Sequence, residues 1–375
     1  MIALRPLAHR LATLLLACGA AVPAWAAEPE GDHGSGHVHP ATSLLFFASA
    51  EAHRFKPGTP TRDVNEDVPL AADIVLTVSR DRFRVFGEFL LSREEHDLER
   101  FQLGYEAAPD TMVWFGRFHQ PASAWNLEHH HGRYVQTAVT RPATELWEDE
   151  HGILPQHLTG LLIESARTLD DEAGLRYSLG AGLGVAVGSD GLEPVDLLDL
   201  HHRGHRLSWT GRLAYVPQAV EPTQFGLIAA RHTMPVIDAR VAAALGADRL
   251  TQDMLGAFVD WRHEAWRVAA TVYGLRTTFD GGASVRRERL LVGYLQLERQ
   301  LPHGLTAFAR EEDSHRARDS AYVATVSPNF ETRRLSAGLR WDWLRRQALT
   351  VEHGNGVTSR GRQSDVRLLW SAVFP

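Results

Sequence analysis

Arginines and carboxylates recur at alternating positions along many segments of this 375-residue chain. Arginine presents a fixed positive fork, and rings of basic side chains favour anions in pores. The candidate pore-lining set is Arg84, Arg117, Arg133, Arg141, Arg206, Arg212, Arg340, Glu88 and Glu106. Two interpretations stay open. The arginines either attract anions to a constriction or form ion pairs with Glu88, Glu106, Glu164 and Asp342 across a water-filled interior.

Histidines form a second candidate site, because neutral imidazoles with carboxylates bind zinc or copper. The candidate ligands are His33, His37, His39, His119, His129, His130, His131, His151 and His157, with Glu128, Glu148, Asp149 and Glu150 near them in the chain. The spacing matches no closed zinc site, and the helical His-Glu-x-x-His motif is absent. A solvated His-rich segment is the alternative, so the sequence requires no cofactor and leaves zinc or copper as the open candidate.

The segments that would position these side chains have the period of β-strands. In the last one, Val366, Leu368, Trp370, Ala372 and Phe374 share a face opposite Arg367, Leu369, Ser371 and Val373. An apolar face with aromatic residues toward its ends is typical of a lipid-facing strand. Tryptophans lie toward segment ends throughout: Trp114, Trp209, Trp261, Trp266, Trp341, Trp343 and Trp370. We therefore expect apolar side chains outside, in lipid, and charged ones inside, around water.

The predicted fold is all-β, a transmembrane antiparallel β-barrel. From residue 43 onward we count 17 strand-length segments, whereas single-chain bacterial barrels prefer even numbers. The sequence therefore predicts 16 strands, with 14 or 18 as alternatives, and either the first segment is an N-terminal extension or one pair of segments is misread. The barrel is expected to span residues 43–375, with one long inserted loop at 119–157 that folds into or over its mouth.

The N-terminal region predicts export. Arg5 and Arg10 precede an apolar run at 11–22, and Ala24-Trp25-Ala26 is a small-residue cleavage site. Residues 1–26 are expected to be a signal peptide, with a lipoprotein signal ending at Cys18 as the alternative. Residues 27–42 are His- and Gly-rich and are expected to be disordered. A net charge of -7 argues against nucleic acid as a partner.

One stretch resembles a known family. Gly116-Arg117-Phe118-His119-Gln120-Pro121 is followed by Trp125-Asn126, His130-His131-Gly132, Arg141-Pro142 and Gly152-Ile153-Leu154-Pro155. This pattern resembles a segment of porin-like bacterial outer-membrane proteins that are distantly similar to the phosphate-selective porin family. The last strand is similar to those on which such barrels carry their assembly signal, although Pro375 follows Phe374. The resemblance implies the outer membrane as location, its lipid and the barrel-assembly machinery as partners, and a homotrimer by analogy.

The function that we predict is passive diffusion of small hydrophilic solutes through a channel narrowed by the loop, with anions as one candidate class. One alternative is an outer-membrane protein that handles zinc or copper with its His-rich tail and loop. The other is a structural barrel without an open pore. No Ser- or Asp-centred motif stands out, so an enzyme is not predicted.

Overall fold

A computed structural model of the chain describes residues 41–55, 70–92, 96–129, 132–148, 150–169, 173–197, 204–218, 223–281 and 285–375. The predicted signal peptide, residues 27–40 of the predicted tail, and His33, His37, His39, His130 and His131 lie outside these ranges. No helix within the described ranges is long and apolar enough to cross a membrane.

Sixteen antiparallel strands form a closed barrel, which confirms the predicted fold and strand number. The barrel strands are β1 Ala41–Phe55, β2 Leu70–Arg80, β3 Phe83–Ser92, β4 His96–Ala108, β5 Thr111–His119, β6 His157–Thr168, β7 Gly174–Leu183, β10 Leu207–Val216, β11 Gln224–Pro235, β12 Arg249–His263, β13 Trp266–Asp280, β14 Arg286–Leu301, β15 Leu305–His315, β16 Arg333–Leu344, β17 Gln347–Thr358 and β18 Gly361–Phe374. The short strands β8 Ala186–Val187 and β9 Leu192–Glu193 pair separately. β1 pairs with β18, with Phe46 opposite Phe374, and this closes the barrel.

The surplus among the 17 predicted segments is residues 236–245, which do not form a strand, whereas the first segment belongs to β1 of the barrel. The surplus segment contains the helix α2, Ala239–Leu245; α1 is Ala124–His129 and α3 is Ala321–Val326. Asp238 caps α2 by accepting hydrogen bonds from the backbone N–H groups of Arg240 and Val241, at 2.8 and 2.9 Å. Gly246 ends it in the left-handed conformation. An N-cap aspartate and a glycine after the last turn are the usual signals of a helix.

The outer face of the barrel is apolar, as expected of a surface in lipid. Phe83 is 63% exposed, Leu207 71% and Val366 48%. Trp209, Trp261, Trp266 and Trp341 are exposed with them. Trp114 is an exception to the predicted aromatic girdle, because its indole N–H donates to Glu164 at 2.9 Å on the inner face.

The inner face differs from the sequence-based expectation that only charged side chains surround water. Along β10–β14 it is largely apolar and packs against the loop after β5 and the segments around α2 and α3. The wall residues of this apolar core are Ala214, Ile228, Ala230, Met234, Leu250, Met254, Phe258, Tyr273, Leu275, Phe279, Leu290 and Val292. The expectation was wrong for this side, because the barrel buries chain segments there, and buried segments need apolar partners.

Candidate functional site: the loop inside the barrel

The described residues of the connection between β5 and β6, within 120–156, lie inside the barrel. The connection contains α1 and two 3-10 turns, Arg133–Val135 and Ala143–Glu145. Its backbone and side chains bond to inward-facing residues of β1 and of strands from β11 to β17. A loop held by strands on opposite sides of the barrel crosses the lumen, so the loop defines how much of the interior stays open.

The middle of the loop is held by a carboxylate of β17 and an arginine of β15. Glu352 accepts hydrogen bonds from the backbone N–H groups of Val139 and Thr140, at 2.8 and 2.9 Å, and from the Thr140 hydroxyl. Arg310 donates to the Thr140 carbonyl at 2.8 Å and to its hydroxyl oxygen at 2.6 Å. Arg310 is itself paired with Glu312 at 2.8 Å. Charge-assisted bonds of this kind are stronger than neutral ones.

The helix α1 is held by Arg267 of β13. Arg267 pairs with Asp260 at 2.7 Å and with Glu128 and Glu298, both at 3.4 Å. It also contacts His129 Nε2 at 3.2 Å, while His129 Nδ1 lies 3.1 Å from the Trp125 carbonyl. Burial and the charge of Arg267 lower the pKa of His129 to about 3. His129 is therefore neutral, with Nδ1 donating and Nε2 accepting, which leaves no nitrogen for a metal.

Arg340 and Tyr273 of the wall also hold the loop in place. Arg340 of β16 donates to the backbone carbonyl of Gln136 at 2.6 Å and also to that of Tyr134. The Tyr273 hydroxyl of β13 donates to Glu145 at 2.5 Å. Burial raises the pKa of Glu145 to about 7, since a buried carboxylate loses its hydration.

A cavity of about 360 Å³, here called the basic cavity, lies between the loop and the wall of β16–β18. Its arginines are Arg133, Arg141, Arg334, Arg360 and Arg367, and its carboxylates are Glu150 and Glu331. Behind the lining, Glu51 pairs with Arg133 and with Arg367, the latter at 2.9 Å. Asp365 pairs with Arg334 at 2.9 Å. Five arginines thus face two carboxylates on the lining, and counting Glu51, Asp365 and Glu352, which lies 3.6 Å from Arg334, makes the opposite charges equal in number.

A second cavity, of about 390 Å³, lies toward the end of the barrel where β4 is joined to β5 and β6 to β7. Arg84, Arg176 and Arg212 line it together with Glu106, Asp110 and Glu164. Arg84 pairs with Glu106 at 3.6 Å. Its basic and acidic groups are equal in number, so this cavity is polar without a formal charge.

A third cavity, of about 440 Å³ and here called the acidic cavity, lies on the other side of the loop. Its carboxylates are Asp97, Glu99, Glu148, Asp190, Glu193 and Asp196. Arg117 is its one lining arginine among the described residues and pairs with Asp97 at 3.3 Å. His151 lines both the acidic and the basic cavity. The interior therefore offers regions of opposite charge on the two sides of one loop.

Two of the predicted metal ligands come together at the acidic cavity, His157 on its lining and His119 beside it. Ligand atoms of His119, His157 and Glu99 all lie within 4.8 Å of one another, and all three residues are buried. His129 and His151 do not join this group: the first contacts Arg267, and the second, although it lines the same cavity, lies 2.9 Å from the Asp190 carbonyl.

The predicted pore-lining residues are thus distributed over several environments. Arg133 and Arg141 line the basic cavity, Arg84, Arg212 and Glu106 the polar one, and Arg117 the acidic one. Arg340 holds the loop, Glu88 pairs with Arg100 in the wall, and Arg206 is exposed just before β10. Sequence reasoning missed Glu51, Glu99, Arg267, Arg310, Arg334, Glu352 and Asp365. The inward positions of alternating strands were the signal that could have identified most of them.

Comparisons with known proteins give the fold. No protein-family model matches the sequence, and no curated protein matches it. Among solved structures, an anion-selective porin from Comamonas acidovorans is 10% identical, with 90% of this chain and 100% of that chain covered at a TM-score of 0.59. The outer membrane channel DcaP of Acinetobacter baumannii is 11% identical, with coverages of 89% and 97% and a TM-score of 0.57. Salmonella typhi OmpF, in complex with daunomycin, is 13% identical, with coverages of 89% and 97% and a TM-score of 0.57.

The similarity to the phosphate-selective porin family stays a prediction, because these structures are too distant in sequence to carry more than architecture. The porin-like architecture itself is confirmed. A closed barrel of 16 strands, an apolar outer face and porins as structural neighbours agree with one another. The chain therefore has the fold of the bacterial outer-membrane porins, and it is a β-barrel of the bacterial outer membrane.

Proposed function

We propose that the protein is a channel for passive diffusion of small hydrophilic solutes, with a modest preference for anions. The observation that carries the proposal is the basic cavity, which lies between the inserted loop and the β16–β18 wall and is lined by five arginines. A passage at that place would bring a solute against guanidinium groups, which favour anions.

The expected preference is modest because the arginines are not bare charges. Arg133 and Arg367 share Glu51, and Arg334 contacts Asp365 and Glu331. Paired guanidinium groups still offer hydrogen bonds, but their field is partly cancelled by the nearby carboxylates. The excess of arginines over carboxylates on the lining itself supports a preference for anions over cations, not exclusion of cations.

Planar-bilayer recording of the refolded barrel tests the proposal. Discrete ohmic steps are expected, and the reversal potential in a KCl gradient should have the sign of chloride preference. Arg360, which is exposed in the turn between β17 and β18, lines the basic cavity. Arg360→Glu should shift the reversal potential toward cations. Arg333→Glu is the matched control, because the Arg333 side chain is 66% exposed and lies outside that lining.

A cation-preferring parent protein, or equal shifts from both variants, would contradict the assignment of the basic cavity as an anion path. Absence of conductance from a correctly folded sample would contradict the channel itself. That outcome would instead support a structural barrel, which one observation favours: the apolar core fills the lumen along β10–β14.

Assembly is part of the proposal. The apolar face of β18 supports recognition by the barrel-assembly machinery, and a homotrimer is proposed by analogy with other porins. Native mass measurement in detergent distinguishes a trimer from a monomer. Deletion of the last three residues, including Phe374, should lower the yield of folded barrel in the outer membrane.

A further inference from the structure

We propose that Glu99, His119 and His157 bind one divalent transition-metal ion, of the class of zinc, at the base of the inserted loop. The inference does not depend on the channel proposal, because a closed barrel could hold the same ion.

The barrel itself brings the two histidines together. His119 is the last residue of β5 and His157 the first of β6, and the antiparallel register places them directly opposite each other. Their ring centroids lie 4.9 Å apart. The 37 intervening residues, 120–156, form the loop, so the two ends of the loop meet at this pair. Glu99 comes from β4, the strand beside β5, near a register shift between β3 and β4.

The ligand atoms have the separation that a zinc site needs. Two ligands about 2.0–2.1 Å from zinc, separated by the tetrahedral angle, lie roughly 3.3 Å apart. His157 Nε2 and Glu99 Oε2 are 3.3 Å apart. All three ligand atoms lie within 4.8 Å, so small side-chain rotations are enough to bring them around one ion. Three protein ligands leave a fourth position for water or a solute, as in open zinc sites.

A second carboxylate orients one ligand. Glu148 Oε2 lies 2.9 Å from His157 Nδ1, and Glu148 Oε1 accepts hydrogen bonds from the backbone N–H groups of Gln156 and His157, at 2.6 and 2.9 Å. With Nδ1–H donating to Glu148, the lone pair of Nε2 points to the side of Glu99. A carboxylate behind a histidine ligand in this way is the usual outer shell of a zinc site.

The surroundings suit a cation. The ligands adjoin the acidic cavity, whose carboxylates outnumber its arginine and would raise the local concentration of divalent ions. Trp147 packs over both histidines, with ring centroids 4.8 and 5.3 Å away, and limits their rotation. An ion bound here would join β4, β5 and β6 and fix both ends of the loop.

The test is equilibrium dialysis of the folded, detergent-solubilised barrel against zinc chloride, with bound metal measured by atomic emission. Because imidazole is a general zinc ligand and the chain has 20 histidines, the readout is the difference between variants. Glu99→Gln and His157→Gln should each bind one equivalent less than the parent protein. Glu148→Gln should keep the equivalent with an affinity about 10–100-fold weaker, as expected for loss of an outer-shell partner. His151→Asn is the matched control, because His151 lines the same cavity at a positive φ that Asn tolerates, and it should bind as the parent does.

A measurement on the parent protein covers the case in which the variants do not fold. Zinc should slow hydrogen exchange in the peptides at the two loop ends, around His119 and His157, read by mass spectrometry, with the peptide around the exposed His315 as the reference. Equal zinc stoichiometry in the parent and a folded His157→Gln variant, or exchange at the loop ends that zinc leaves unchanged, would overturn the proposal. The group would then be a buried ion pair of His157 with Glu99 and Glu148.

Discussion

Removal of the Glu352 side chain should release the middle of the inserted loop. Glu352 is buried and accepts three hydrogen bonds from Val139 and Thr140. At about 1.5 kcal/mol for each bond to a charged group, their loss amounts to about 4.5 kcal/mol. This sum agrees with the free energy of about 3–5 kcal/mol that is lost when one partner of a buried charged contact is removed. Since 1.4 kcal/mol is a factor of about ten, docking should weaken by about 10³-fold.

Hydrogen exchange read by mass spectrometry measures this loss directly. In Glu352→Ala the peptide containing Val139 and Thr140 should exchange about 10³-fold faster, while peptides from the wall strands should exchange at the parent rate. Glu311→Ala is the control, because the Glu311 side chain is 58% exposed and contacts Arg333. Unchanged protection in Glu352→Ala would refute the reasoning, since the Arg310 contacts alone would then hold the loop.

Two further predictions concern the interior. Leu250→Ala should lower the unfolding free energy by about 2–5 kcal/mol, because Leu250 is 0% exposed in the apolar core. The control Leu255→Ala, at a 67% exposed position of the same strand, should lower it much less. The measurement is the unfolding temperature read from the heat-dependent shift of the barrel on gels, and equal decreases for the two variants would argue against the core. Burial raises the pKa of Glu145 from 4.5 to about 7, so the docked loop favours the protonated carboxyl. The free energy of docking should therefore weaken by about 3 kcal/mol as pH rises from about 4.5 to 7. Glu145→Gln should abolish this dependence of loop exchange on pH, and identical profiles for the variant and the parent would show that another group titrates.

The wall of the barrel was predictable because strand alternation is a local signal. Val366 and Phe83 lie on the outer face that their alternation indicates. The segment at 236–245 was misread because its apolar residues suit a strand as well as a helix, although Asp238 and Gly246 marked the helix ends. Local pattern does not show which inward positions face water and which face other protein. Leu250 and Met254 were therefore not recognised as core.

The site was predictable in part, for a different reason. Position in the sequence identified the loop and its histidines, but not which of them meet. His119 and His157 are far apart in sequence and opposite each other in the barrel, whereas His129 faces Arg267. Glu352 belongs to a strand distant from the loop in sequence, so only the closed barrel brings it there. Glu99 is on the neighbouring strand β4, next to a register shift between β3 and β4 that the sequence pattern did not reveal.

The loop also spans the joint where the first and last strands meet. Arg133 bonds Glu51 on β1, Glu51 in turn bonds Arg367 on β18, and Glu352 of β17 holds Thr140. The residues of β1 lie far in sequence from those of β17 and β18. They come together when β1 pairs with β18 and closes the barrel. The loop can therefore dock fully only after β1 has paired with β18. The same contacts that narrow the interior thus also stabilise the closed barrel.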